Sequence, residues 1–271
     1  MKKRKFIDFL TVAVVAAAVA LSVGCAQDAK ETSTDELPVI VIGSDEYEPY
    51  NFSDKNGEPA GIDVEIATEA FGRMGYKAKF KNIVWDEKDS YLANGEVDCL
   101  WGCFSMNGRE NMYQWAGPYM NSRQAVAVRA DSDIYKLSDL AGKSVAVQSS
   151  SKPEELLSGK SNNMPQVGAL YCFVKTDYIF AALNKGYVDA IAGHEFMLHQ
   201  LVNDDDGKYR LLDENLLISK LGVAFYKDNN TEIPDRLNSV LKDMLKDGTI
   251  AKIAEKYGLD NEAAFGGIVI E

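Results

Sequence analysis

The 271 residues carry 29 Lys and Arg against 41 Asp and Glu, a net charge of −12, with 46% of residues hydrophobic. So acidic a balance excludes charge-driven binding to nucleic acid or anionic lipid. Four Cys and two His with no C-x-x-C point to neither a disulfide framework nor a zinc site.

The chain opens on the basic cluster Lys2-Lys3-Arg4-Lys5, and from Phe9 to Leu21 every residue except Thr11 is apolar. That run is shorter than the roughly 20 residues a membrane span needs. A basic cluster before a short apolar stretch predicts a secretory signal over residues 1–24. It closes on Leu21-Ser22-Val23-Gly24-Cys25, which resembles a bacterial lipobox. The resemblance implies that Cys25 is acylated and begins the mature chain, with simple cleavage near Ala26 as the alternative. Residues 25–37 are polar and aperiodic and read as a flexible tether. No later segment is long and apolar enough to cross a bilayer, so the body is expected outside the cell. Its anchor would hold it to the outer face of the membrane, in the periplasm where an outer membrane exists. Residues 1–24 hold four Lys or Arg and one Asp, so 25 basic residues then face 40 acidic ones. Acylation would leave Cys99, Cys103 and Cys172, an odd number.

In chain order, Val39-Ile-Val-Ile-Gly-Ser44 reads as a compact apolar strand ending in Ser. Ile62, Ile66, Ala70 and Met74 recur at helical spacing before Gly75. Leu92-Ala-Asn-Gly95-Glu-Val97-Asp98-Cys-Leu-Trp-Gly102 then reads as a helix end, a Gly cap and a short buried strand. A further strand covers Gln124–Arg129. Ser144-Val-Ala-Val-Gln-Ser149 repeats the first strand, and Leu183-Asn-Lys-Gly186-Tyr-Val188-Asp189-Ala-Ile-Ala-Gly193 repeats the helix-end pattern. After a strand at Leu221–Tyr226, Ile233, Leu237, Val240, Leu241, Met244 and Leu245 form one apolar helix face. Pro234 sits just inside its start and Gly248 just past its end. A last helix around Ile250, Ile253 and Tyr257 stops at Gly258.

Two echoes in the same order predict two α/β lobes of similar plan. The strands at Gln124–Arg129 and Leu221–Tyr226 cross between them, giving lobe 1 as 38–125 and 221–271 and lobe 2 as 126–220. Open α/β sheets bind ligands outside the carboxyl ends of their strands, so two facing lobes predict a cleft. Two crossings allow the lobes to close on it about strands near Val126 and Val223.

Three motifs recur in a fixed order. Asp45-Glu-Tyr-Glu-Pro-Tyr50-Asn-Phe52 precedes Gly61-Ile-Asp-Val-Glu65; Ser105-Met-Asn-Gly-Arg109 precedes Trp115-Ala-Gly-Pro-Tyr119; Leu140-Ala-Gly-Lys143 precedes Val145-Ala-Val-Gln-Ser149. Together, from about Val39 to Gly258, they resemble the bacterial extracellular solute-binding family of polar amino-acid ABC transporters. The resemblance implies an α/β fold of the two-lobed periplasmic-binding-protein-like type II, each lobe a mostly parallel sheet flanked by helices. It implies an extracytoplasmic lipoprotein that binds a small polar ligand, an L-amino acid, and delivers it to a membrane permease with its ATPase. A monomer is expected, with no metal, cofactor or nucleic acid. Two positions depart from the family pattern. One residue fewer separates Ser105 from Arg109, and His194-Glu195 stand where an aspartate is usual.

Arg109 offers a planar fork that matches a carboxylate, and the resemblance assigns it the ligand's α-carboxylate. The alternative is a surface ion pair with Glu110 or another nearby acid. Ser105 would add a hydroxyl beside it. Ser149 to Glu154 leads from a strand into a helix, where the amides of Ser150 and Ser151 suit an anion. A capping box from Ser151 to Glu154 is compatible with that role. Asp45 and Glu195, with His194 beside the latter, are candidate acceptors for an ammonium. Tyr47 and Trp85 would wall a side-chain pocket; Trp101 is equally a core residue. Tyr50, Phe52, Trp115 and Tyr119 are assigned to the core, and Asp63, Asp98 and Asp189 to structural roles. Acidic Asp45 among aromatics leans toward a cationic or neutral polar amino acid.

No G-x-x-x-x-G-K-[ST] occurs, so a partner must supply energy. The leading expectation is a binding module with no chemistry of its own. The alternatives are a cyclohexadienyl-dehydratase-like enzyme, with a cleft Glu or His as general acid, and a ligand-sensing lipoprotein for a membrane partner.

Overall fold

A computed structural model describes residues 36–159, 163–204, 207–228, 232–259, 264–266 and 268. The predicted signal, Cys25 and all but the end of the tether lie outside them. Among the described residues, eleven strands and seven α-helices follow one another. They are β1 (Val39–Ser44), β2 (Phe52–Ser53), β3 (Pro59–Ala60), α1 (Ile62–Arg73), β4 (Lys77–Asn82), α2 (Lys88–Ala93), β5 (Cys99–Leu100) and β6 (Gln114–Arg129). Next come β7 (Ser144–Gln148), α3 (Lys152–Leu157), β8 (Ala169–Phe173), α4 (Thr176–Asn184), β9 (Ala190–His194) and α5 (Glu195–Asp204). The chain ends through β10 (Tyr209–Leu211), β11 (Leu217–Phe225), α6 (Ile233–Lys246) and α7 (Thr249–Lys256).

The main sheet runs in the order β4-β1-β5-β11-β6-β9-β7-β8. Its two ends are built alike. In one, β1 lies parallel to both β4 and β5; in the other, β7 lies parallel to both β8 and β9. In each triplet the first strand in sequence is central and the second is at the edge. Each central strand is buried on both faces, which is why both read as unbroken apolar runs. On β7, Val145 and Val147 pack with Leu140 and Leu157, while Ala146 faces Ile179 and Leu183.

The two echoed motifs do the same work. Gly95 and Gly186 both take φ 70°, a left-handed turn that a side chain would strain. Asp98 then accepts the Val41 amide at 2.7 Å, and Asp189 accepts the Ser144 amide at 2.8 Å. Each aspartate ties its short strand to the start of the central one.

Between the triplets, β6 and β11 run antiparallel from Gln114↔Phe225 to Gln124↔Leu217. From Gln124 onward β6 pairs with β9 instead. The pairing of β6 with β9 therefore begins two residues before Val126, whereas Val223 lies within the β6–β11 pairing. Val126 pairs Ala192 in the β7 triplet's half, and Val223 pairs Ala116 in the other. α1, α6 and α7 cover the β1 half, with Ile62, Ile66, Leu237, Leu241, Met244 and Ile250 wholly or almost wholly buried. Among the described residues, no helix is long and apolar enough to cross a membrane.

Candidate functional site

The carboxyl ends of β1, β5, β7 and β9 meet across a cleft of about 420 Å³, open mouth included. Asp45, Tyr47, Trp85, Ser105, Arg109, Ser150, Ser151 and His194 all line it. Eight of the nine residues named from sequence as ligand contacts are thus brought together.

Arg109 is buried, with 8% of its surface exposed. It ends a turn that is stitched to β11: Met106 N–H donates to Lys220 O, Gly222 N–H donates to Phe104 O, and Ser105 bridges Leu221. Its guanidinium lies 5.2 Å over the Phe104 ring and donates to Ser105 O at 3.3 Å. Its other amino group pairs with Glu155, on α3 of the facing lobe, at 3.3 Å. The acid expected as an alternative partner is therefore Glu155, not Glu110, and it reaches across the cleft. Asp63, buried beneath this turn, accepts the Cys103 amide at 2.6 Å and the Tyr119 hydroxyl at 2.8 Å. Among the described residues, the two non-glycine residues with left-handed backbone, Cys103 (φ 49°) and Ser150 (φ 58°), both line the cleft, one from each lobe. Such strain costs about 1–3 kcal/mol per residue and gathers at ligand sites.

Asp45 accepts a hydrogen bond from Gln148 Nε2, at the end of β7 on the facing lobe. Burial pushes its carboxyl up to about 7, against the pull of that hydrogen bond and of the Lys88 charge. Lys88 is itself 5% exposed. Its Nζ lies 5.4 Å from the Trp85 ring and 5.9 Å from the Phe104 ring, and no carboxylate among the described residues pairs with it.

Several expectations need correction. Glu195 is absent from the cleft. As the first residue of α5 it turns away from the strand end, and Arg123 pairs with it at 3.0 Å on a separate pocket. His194 lines the cleft, but its ring is engaged elsewhere. Nδ1 lies 2.9 Å from Ser122 Oγ, and Nε2 lies 2.9 Å from Gln124 Nε2. Burial drives its pKa down to about 3, so the ring is neutral. The amides of Ser150 and Ser151 already have partners: the first donates to the Glu154 carboxylate, the second to Gln148 O. The Ser150 hydroxyl donates across the cleft to Asp86 at 2.6 Å. Trp101 has no exposed surface and packs edge-on against Phe71 and at a tilt against Tyr119, so it is core. Gly193 admits the Tyr47 hydroxyl, which accepts the His194 amide at 3.1 Å; a Cβ on Gly193 would stand 3.2 Å from that oxygen.

A cleft between two triplets of parallel strands, joined by two crossing strands, is the architecture of periplasmic binding proteins of type II. The profile of the bacterial extracellular solute-binding proteins, family 3, matches residues 39–260. The chain belongs to that family. Within it, the L-cystine-binding protein TcyA of Bacillus subtilis (strain 168) is 26% identical, over 95% of this chain and 97% of its own. Among solved structures, an ancestral arginine-binding protein bound to arginine superposes with TM-score 0.74 at 26% identity. That match covers 82% of this chain and 98% of that one. The ancestral amino acid-binding protein AncCDT-1, a precursor of cyclohexadienyl dehydratase, gives TM-score 0.72 at 26% identity over 81% and 95%. This family 3 fold therefore also stands near an enzyme lineage.

Proposed function

We propose that this protein captures a free L-amino acid between its lobes and hands it to a membrane permease driven by an ATPase. One observation carries this reading: a buried guanidinium, Arg109, and the carboxylate of Asp45 face one enclosed cleft beside the aromatic rings of Tyr47, Trp85 and Phe104. An α-amino acid presents the complementary pair, a carboxylate and an ammonium, and each needs a partner when it leaves water. Two relatives in the family, by their names, bind cystine and arginine. The lobes are 38–125 with 221–271 and 126–220, and closure pivots on the β6–β11 crossing. The protein acts as a monomer and performs no chemistry. A neutral His194 with both ring nitrogens engaged, and a Glu195 outside the cleft, take away the His and Glu that the sequence offered a dehydratase as its general acid.

Thermal shift against the common amino acids tests the reading. Ligand at about 100 times its Kd adds roughly 2.7 kcal/mol of stability, a clear rise in Tm. Arg109→Lys keeps the charge but loses the fork, so it weakens binding. Arg109→Ala abolishes the shift and leaves the unliganded Tm within a few degrees. If no amino acid raises the Tm, or Arg109→Ala binds as the parent does, the reading is wrong.

We propose further that Cys25 is acylated and holds the body at the outer face of the membrane, as the short apolar run ending in Gly24-Cys25 suggests. Cys25→Ala then releases the protein from membranes into the soluble fraction. Unaltered membrane retention of that variant would rule the anchor out.

A further inference from the structure

We infer that the facing lobe carries its own imitation of an α-amino acid, and that Glu155 is a built-in competitor which the ligand's carboxylate must displace from Arg109. This rests on the amino-acid reading above and deepens it. The two groups offered to the ligand already have partners across the cleft. Arg109 Nη2 lies 3.3 Å from Glu155 Oε2, and Asp45 accepts a hydrogen bond from Gln148 Nε2. One contact sets a carboxylate on a guanidinium, the other an N–H donor on a carboxylate. An α-amino acid presents the same two groups. Both partners come from the facing lobe: Gln148 ends β7, and Glu155 lies on α3.

Glu155 is held in that position from its own lobe. Lys152, one helical turn earlier and 6% exposed, pairs with its other oxygen at 2.5 Å. The turn from Ser105 to Arg109 sits closely against the same helix. A Cβ on Gly108 would stand 3.2 Å from Lys152 Nζ and 3.6 Å from Glu155 Oε1. Burial pulls the Arg109 pKa down, and the Glu155 carboxylate leads the charges that oppose it. Glu110, next to Arg109 in sequence, accepts the Gly108 amide at 3.0 Å instead.

The empty cleft therefore does not leave a buried guanidinium bare, which would be costly. The same contact works against the ligand. Arg109 Nη1 is turned to Ser105 O and Nη2 to Glu155, and a bidentate grip on a carboxylate needs at least one of these amino groups. A ligand carboxylate brought here either takes the place of Glu155 or lies beside it, where like charges repel. In the exchange Arg109 is never unpaired, and Glu155 keeps Lys152. Binding then reflects the difference between two carboxylates, so Glu155 holds affinity below what the cleft's contacts alone would give.

Calorimetric titration of the purified protein tests this, with L-cystine and the common L-amino acids as probes. Glu155→Gln keeps the shape of the side chain and removes its charge. The amino acid that binds best should bind this variant roughly threefold or more tighter than the parent. Glu110→Gln removes an acid from the opposite turn that makes no contact with the guanidinium, and should change affinity less than about twofold. Should Glu155→Gln not fold, Glu155→Ala carries the same expectation. Affinity left unchanged or weakened by loss of Glu155, or raised equally by Glu110→Gln, overturns the competitor and leaves amino-acid binding intact. If no amino acid binds parent or variant, the underlying reading has failed and the competitor with it.

Discussion

Asp45 shows how one side chain sets both stability and binding. Its carboxyl titrates near 7 in the fold against the ordinary 3.8 of an aspartate, chiefly because burial disfavours the charged form. A raised folded pKa means that the native state holds the proton more tightly than the unfolded chain. The contribution is therefore fully present below about pH 4 and is lost as pH rises through 7. Asp45→Asn keeps the contact with Gln148 and never ionises. At pH 8 it should stabilise the unliganded protein by about 4 kcal/mol, roughly 8–16 °C in Tm, and at pH 4 by almost nothing. Asp63 and His194 titrate identically in both proteins, so the difference between their melting curves isolates Asp45. An equal Tm difference at pH 4 and pH 8 would sink the assignment. The same substitution should cost affinity, because an ammonium prefers a carboxylate to an amide. A ligand that pairs with Asp45 must displace its proton, so affinity should fall about tenfold per pH unit below 7.

At the level of elements, the sequence was most readable where geometry demanded a particular residue. The turns at Gly95 and Gly186 and the aspartates three residues on stood out, since only glycine accepts φ near 70° without strain and each aspartate ties two strands. Pro234 and Gly248 likewise marked α6. The length of β6 was not readable. Only its last six residues look like a strand, because Gly117-Pro118 reads as a break. The sheet absorbs that pair with a bulge at Gly222, whose backbone approaches Gly117 so closely that a Cβ there would lie 3.2 Å away. Asn238 of α6 accepts the Gly117 amide at 3.0 Å in place of a ladder partner. In the site, Gln148 was within reach of sequence reasoning, since it ends a strand whose carboxyl end was expected to face the cleft. Beside the site, the burial of Lys88 gave no signal. A lysine among acids in a short polar helix reads as solvent-exposed, and its burial depends on Trp85 and Phe104 closing over it from 3 residues before and 16 after. Glu195 was misplaced for the opposite reason: a strand end fixes direction only up to its last residue, and the helix begins at the next.

For the whole molecule, the question is what holds the lobes together as they stand. Among the described residues, four polar contacts cross the cleft: Asp45 with Gln148, Asp86 with Ser150, Arg109 with Glu155, and Tyr47 with His194. The ion pair among them is half-exposed on its acidic side, and such pairs contribute about 0–1 kcal/mol. Net hydrogen bonds add about 1 kcal/mol each, and opening returns their groups to water. Against this stand two paired strands, bulged at Gly222, as the covalent link between the lobes. Closure without ligand is therefore weakly held, and a ligand gripped by both lobes shifts the balance by its differential affinity for the closed form. Small-angle scattering should show a smaller radius of gyration at saturating ligand than without it. Glu155→Ala removes one cross-cleft contact and frees Arg109, so its ligand-free form should be at least as open as the parent's and should still compact when ligand is added. A profile unchanged by ligand in both proteins, at concentrations that raise the Tm, would mean that the cleft binds without hinging and that the β6–β11 crossing is a rigid strut.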